Sequence, residues 1–222
     1  NLGLEKILLD HIETDWVLYI DDDIEFYPTL LEEAHKYILS IDKEELNVLA
    51  IGPLILSDET NSLNLNTSLI YLVRKFFSKI FDYLNFYLIK KGKVAFSGWH
   101  SKHSLKKDEI NKVEWLPSGF LLVKFSKITE SKYDEQYMDY GYLEDLDFTY
   151  TLSKKGTLIR NNNLIVQTST KEHSSFLFGI SEIKNRLYFV MKHDLSIFKY
   201  SIMMFMRMIF SLYLSFRELD IN

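Results

Sequence analysis

The sequence predicts an α/β domain, with a mixed, mostly parallel sheet flanked by helices and a helical tail at the C-terminal end. Three observations carry this prediction. Segments with helical apolar spacing alternate with short runs rich in β-formers, the pattern of a sheet with helices on its faces. The run from Trp16 to Ile20 is continuously apolar, as in a strand of a parallel sheet buried on both faces. At 222 residues, 47% hydrophobic and 15% aromatic, the chain can bury one substantial core.

The elements follow in order. "LGLEKILLDHIE" places Leu2, Leu4, Ile7, Leu8 and Ile12 near helical spacing, and the Trp16 strand comes at once, ending in Asp21, Asp22 and Asp23. "PTLLEEAHKYILS" opens with Pro28 at a favourable first-turn position and predicts a second helix, after which "NVLAIGPLIL" predicts another buried strand. From Leu69 to Ile89 apolar residues recur at spacings of three and four, which predicts an amphipathic helix. "KKGKVAFSGWHSKHSLKKDEINK" is basic and rich in turn residues, and reads as a mobile loop around a short strand. In "VEWLPSGFLLVK", Pro117, Ser118 and Gly119 form a turn into an apolar strand. "YDEQYMDYGYLEDLDFTYTLSKKG" reads as a loop entering a helix near Tyr142 that stops at Gly156, and "TLIRNNNLIVQ" as two short strands around an asparagine turn.

Three adjacent aspartates raise one another's pKa unless a cation or hydrogen-bond donors compensate them. A surface turn is one use of such residues, because Asp bonds nearby backbone N–H groups. A divalent metal is the other. Hard oxygen ligands suit Mg²⁺ or Mn²⁺, which bind through one or two carboxylates plus the phosphates of a substrate. Ligands of open α/β sheets sit beyond the carboxyl ends of the strands, where Asp21 to Asp23 lie. A second acidic cluster, "YLEDLDF", holds Glu144, Asp145 and Asp147. Helix neighbours point about 100° apart, so Glu144 and Asp145 do not face one another, and one of them can face a cleft while the other caps or meets solvent. Acids favoured by the helix macrodipole are the structural alternative. In "TSTKEHSSF", His173 offers an imidazole that can join carboxylates around a Mn²⁺-class metal.

The net charge of −5 argues against general nucleic-acid binding. Cysteine is absent, which removes disulfides, thiolate zinc sites and cysteine nucleophiles together. The chain begins at Asn1 with no signal-peptide pattern, and the natural N-terminus is expected upstream.

The order of these features resembles glycosyltransferase family 2 of the GT-A fold, over about residues 1 to 181. In that family an Asp-x-Asp at a strand end holds the metal and the nucleoside diphosphate of a sugar donor, and it matches Asp21 and Asp23, with Asp22 between. The family's Glu-Asp motif matches Glu144 and Asp145, preceded by "YDEQY" and followed by a helix ending in Lys-Gly. The resemblance implies Asp145 as catalytic base, His173 as a third metal ligand beside Asp21 and Asp23, and a Mn²⁺ or Mg²⁺ cofactor. Asp21, Asp22, Trp115, Gly119 and Glu144 would bind substrate, Trp115 by stacking and Gly119 by letting backbone approach. The family's first βαβ units, which hold nucleobase and ribose, should precede Asn1. The implied activity is inverting transfer of a sugar from a nucleoside-diphosphate donor to a carbohydrate or lipid-linked acceptor, in cell-surface polysaccharide or glycolipid synthesis. Two alternatives stand beside it. One is a metal-dependent phosphoryl or nucleotidyl transferase, although no G-x-x-x-x-G-K-[ST] is present. The other is a non-catalytic binding module.

Residues 182 to 222 read as a separate helical tail. From Glu182 to Arg217 six Lys or Arg face two acids, a local balance of +4. The seventeen residues from Tyr200 to Phe216 are apolar, aromatic or Ser apart from Arg207. Arg207 makes spanning a bilayer costly, by about 2.5–3.5 kcal/mol. A helix lying in the interface avoids that cost, with Lys192, Lys199, Arg207 and Arg217 at anionic headgroups. The expected location is the cytoplasmic face of the cell membrane. A helix packed on the catalytic body is the alternative.

Overall fold

The computed structural model describes residues 14–44, 46–57, 78–128, 131–137, 141–168 and 176–219. Its strands are β1 (Trp16–Ile20), β2 (Ile24–Phe26), β3 (Val48–Ser57), β4 (Ile110–Val113), β5 (Phe120–Lys124) and β6 (Thr157–Thr168). Its helices are α1 (Leu30–Lys43), α2 (Phe125–Ile128), α3 (Glu144–Ser153), α4 (Phe176–Lys192) and α5 (Ile197–Leu219), with a short helical segment over 78–83. The fold is mixed α/β. Among the described residues one sheet runs in the order β1-β5-β3-β6-β2, with β4 also paired to β6.

The sheet is mixed, but it is not mostly parallel. Only β3 and β6 run parallel; β1·β5, β3·β5, β2·β6 and β4·β6 are antiparallel. The reason lies in what a continuous apolar run requires, which is cover on both faces rather than a strand direction. In β5, Phe120 and Leu122 join Leu30, Ala34 and Ile38 of α1, whereas Leu121 and Val123 join Phe148 and Leu152 of α3. This period of two places one helix on each face. β5 is therefore buried twice over while antiparallel to both its neighbours. The run in β1 is only half-buried, and Ile20 is exposed.

Helix α1 shows the same physics from the helical side. Leu30, Ala34, Ile38 and Ile41, spaced four, four and three, are all buried, while Glu32 and Lys36 pair at 2.7 Å on the outer face. Each fully buried Leu or Ile contributes roughly 1.5–3 kcal/mol. A third apolar cluster joins Leu146 and Tyr150 of α3 to Phe189 and Val190 of α4 and Tyr200 of α5.

The expected asparagine turn is not a turn. β6 is one strand of twelve residues, and between the pairs Pro53↔Asn161 and Leu54↔Ile165 it advances four residues while β3 advances one. Pro53 has no N–H to give to a ladder, so the excursion falls where pairing is already weakest. Buried Asn162 donates its amide to the carbonyls of Ser104 (3.1 Å) and Lys106 (2.6 Å). The polar residues that read as a turn thus tie down a distant loop. β4 pairs with β6 before the excursion and β2 after it.

That loop, expected to be mobile, is held at several points. Ala95, Ser97 and Ser101 are buried, the Ser101 hydroxyl donates to Lys90 O at 2.6 Å, and Arg186 Nη1 donates to Gly98 O at 2.8 Å. Of the expected helix from Leu69 to Ile89, residues 78–83 are helical and the chain then turns through Asn85, with φ of +55°. Its earlier part, to residue 77, and the expected helix before Asp15 lie outside the described residues, apart from Thr14.

The tail is anchored by charge. Buried Glu182 on α4 accepts from Arg186 at 3.2 Å and from both Nη atoms of Arg207 at 2.8 and 2.7 Å, joining α5 to α4. Lys192 binds Asp134 and Asp147, and Lys199 donates to Leu84 O at 2.6 Å. These three cations are thus each engaged with acids or carbonyls of the body. The side chain of Arg217 lies outside the described ones. Among the described residues no helix is long and apolar enough to cross a membrane.

Candidate active site

Asp21 ends β1, and its N–H donates to Gly119 O at 3.0 Å, which fixes the acidic turn against the entry to β5. A Cβ on Gly119 would stand 3.4 Å from Asp21 Oδ2 and from Ile24, in ordinary contact, so Gly119 lies directly beside the carboxylate. The three aspartates then diverge. Asp21 lines a cleft, Asp22 is exposed, and the Asp23 carboxylate accepts the Thr168 hydroxyl at 3.1 Å at the end of β6.

Opposite Asp21 stands the first turn of α3. Gly141 and Leu143 both take left-handed φ values, +65° and +75°, and the helix starts directly after them. A Cβ on Gly141 would lie 2.9 Å from Glu144 Cδ and Oε2, so glycine leaves room for that carboxylate as well as for the turn. Glu144 and Asp145 both line the cleft. The cleft meets the end of the helix rather than one flank, and side chains about 100° apart can both border an opening there.

The segment from Trp115 to Gly119 forms the third wall. Thr149 on α3 holds it, its hydroxyl accepting Leu116 N–H at 3.0 Å. Trp115 donates its indole N–H to Ser101 O at 3.0 Å and packs against His100 and His103, with ring centroids 4.3 and 4.4 Å away. The resulting cleft, about 440 Å³, gathers Asp21, Trp115, Ser118, Tyr142, Glu144 and Asp145.

Its electrostatics are those of crowded acids. Burial pushes Asp145 up to about 6; the backbone N–H groups of Leu146, at 2.7 Å, and Ser118 hold it from rising further, and Asp21 adds a smaller upward push. Glu144 is raised by burial and then by Asp145 and Asp21, and Asp21 by partial desolvation and then by Asp23 and Asp22. Among the described residues lining this cleft there is no Lys or Arg. A carboxyl near 6 is mostly ionised at pH 7 yet basic enough to take a proton, the balance a general base needs.

Among the described residues no group of three or more His, Asp or Glu side chains is placed to hold a metal ion, and His173 lies outside them. Asp21 is the described carboxylate of the acidic turn that lines the cleft. One such carboxylate fits Mg²⁺ or Mn²⁺ when substrate phosphates and water complete the shell, and a cation would relieve the mutual repulsion of Asp21, Glu144 and Asp145.

Of the residues singled out in sequence, Asp21, Trp115, Glu144 and Asp145 line this cleft, and Gly119 lies beside Asp21. Sequence reasoning missed His100, Ser118 and Tyr142. The signal for His100 was the "HSKH" spacing in a stretch read as mobile; Tyr142 carried none beyond its proximity to Glu144. No family model matches the chain, and no curated protein matches it.

Proposed function

We propose that this chain is an inverting, metal-dependent glycosyltransferase of GT-A type, moving a sugar from a nucleoside-diphosphate donor to an acceptor hydroxyl. The observation that supports it most is the meeting of Asp21, from the end of β1, with Asp145, at the start of α3, in one cleft walled by Trp115 and Ser118. A base with a pKa of about 6 and a separate anionic edge are the two parts such a transfer needs.

In this reading Asp145 takes the proton of the acceptor hydroxyl as its oxygen forms a bond to the anomeric carbon. The bond from that carbon to the diphosphate breaks on the opposite face, and its electron pair leaves with the diphosphate. A divalent cation held by Asp21, with Asp23 and His173 as further candidates, would supply charge neutralisation for that leaving group. Ser118 keeps the Asp145 carboxylate oriented, and Glu144 keeps the cleft anionic beside it. Trp115 offers an apolar wall for a sugar ring. Asp22 is exposed, where it can meet the donor's polar groups.

Calorimetric titration with Mn²⁺ and a nucleoside diphosphate, separately and together, tests this reading. Binding that needs both together supports it. Binding of neither would return the chain to a non-catalytic module, and release of a phosphorylated or nucleotidylated product would favour phosphoryl or nucleotidyl transfer.

We further propose that α5 meets a membrane surface. Phe198, Phe205, Ile209 and Leu212, spaced seven, four and three, are exposed along one side of the helix. With Lys192, Lys199 and Arg207 already engaged, apolar insertion rather than headgroup charge would drive this contact, placing the enzyme at the cytoplasmic membrane face with an acceptor delivered there.

A further inference from the structure

A second and larger cleft of about 750 Å³ adjoins the first. The two share His100 and Trp115 as a common wall. Their characters are opposite. Where the first is lined by acids, the second is lined by Arg160, Lys91, Lys102 and Lys106, and the nearby acid is Glu109, 3.6 Å from Lys106.

Arg160 is the informative residue. It is 3% exposed, it lies on β6 beside the asparagine excursion, and its Nε donates to Asn162 Oδ1 at 3.3 Å. Its Nη1 is buried with no hydrogen-bond partner, and so are His100 Nδ1 and both ring nitrogens of His103. Buried polar atoms left unpaired cost about 1–3 kcal/mol each, more when charged, and in native proteins such atoms are completed by water or by a ligand. Burial, with the Arg guanidinium groups nearby adding to it, lowers His100 and His103 to about 3, so both imidazoles stay neutral.

We propose that this cleft is an anion site that takes the phosphate group of a phosphorylated acceptor. A guanidinium, two neutral imidazoles and rim ammonium groups approach from several sides, which suits the oxygens of a phosphate better than the two of a carboxylate. The cleft is far larger than a phosphate, and Trp115 with exposed Leu105 provides apolar walls for the group that carries it. That the phosphate belongs to the acceptor rests on the transferase reading: the phosphate would sit in this cleft while a hydroxyl reaches past Trp115 toward Asp145. That the cleft binds phosphate does not rest on it.

The test is calorimetric titration of the full chain in chelator, so that cation-dependent binding at the acidic cleft is silent. The probes are inorganic phosphate, glucose 6-phosphate and dodecyl phosphate. Saturable binding is expected for inorganic phosphate, weakened about tenfold or more by Arg160→Gln and by the pair Lys102→Ala/Lys106→Ala, and unchanged by Asp21→Asn. A tighter dodecyl phosphate would identify a lipid-borne phosphate and a tighter glucose 6-phosphate a soluble one; either supports the site. Absence of saturation by all three up to about 10 mM overturns it, as does binding that Asp21→Asn abolishes or that the lysine pair leaves intact. If Arg160→Gln does not fold, the lysine pair decides alone. Failure of the transferase reading is registered separately, by the Mn²⁺ and nucleoside diphosphate titration.

Discussion

The Thr149 hydroxyl accepts Leu116 N–H at 3.0 Å and lies 2.7 Å from the Asp145 carbonyl, so one side chain on α3 ties the residue after Trp115 to the turn that bears Asp145. The segment that bears Ser118 and Trp115 thereby takes its position from the helix that bears Asp145. Thr149→Val keeps the shape and removes the hydroxyl. It is expected to destabilise by about 1–3 kcal/mol, because Leu116 N–H is left buried without a partner. Transfer should fall by more than the folded fraction does, measured by denaturant unfolding alongside activity. An activity loss matching the unfolded fraction would make Thr149 purely structural.

Asp145→Asn and Asp21→Asn should fail differently. The first removes the proposed base and should abolish transfer while leaving Mn²⁺-dependent nucleoside diphosphate binding intact; the second should weaken that binding. Asp23→Asn should weaken it less, since Asp23 already accepts from Thr168. Equal loss of affinity in the Asp145 and Asp21 variants contradicts these roles.

The same carboxyl sets a pH dependence. With Asp145 near 6 in the folded protein against an ordinary 3.8, transfer should decline as pH falls through about 6 and the base protonates. Stability moves the other way. The folded protein binds this proton more tightly than the unfolded chain, so ionising Asp145 costs stability above about pH 6, and the cost fades as pH falls toward 3.8. Asp145→Asn should therefore raise stability at pH 7, by about 1–3 kcal/mol, and this gain should shrink at pH 4. Thermal unfolding at the two pH values checks it.

Glu182→Gln leaves Arg186, one of the largest fully buried side chains, without its anion, and frees Arg207 from α4. A loss of about 3–5 kcal/mol is expected. Arg207→Met should be far milder, since Glu182 keeps Arg186. Similar losses in the two variants would show that the α4–α5 contact, rather than the buried charge, is what matters.

Vesicle sedimentation examines α5. Phe205→Ser/Ile209→Ser should reduce binding several-fold, whereas raising salt from low to physiological should change it little, because Lys199 and Arg207 are engaged within the protein. Strong salt dependence with no effect of the serine variants would favour headgroup attraction instead.

How much of this was legible depends on how local each signal is. α1 and β5 were readable because spacing and burial agree within a few residues. β6 was misread because Asn161, Asn162 and Asn163 carry turn chemistry, and nothing nearby reveals that Asn162 binds Ser104 and Lys106, over fifty positions away. Strand direction was misjudged for a similar reason, since two-sided burial of β5 comes from α1 and α3, elements distant in sequence. Asp21 and Asp145 stood out in sequence through the order in which a strand ending in aspartates and a Glu-Asp helix start follow one another, since each signal alone is weak. The basic cleft did not, because Arg160 and the loop from Lys91 to Lys106 come together only through folding.

The pairings that close the sheet have a consequence for how the chain is made. Ile24 pairs with Thr168, and Trp16 with Lys124. β1 and β2 therefore wait for partners synthesised roughly a hundred residues later, at high contact order, and such topologies assemble slowly. On a ribosome, the acidic turn between them cannot reach its final neighbours until β6 has emerged. The candidate active site is thus among the last places to form during biosynthesis, and a nascent chain stalled before β6 would expose strand edges open to misassociation.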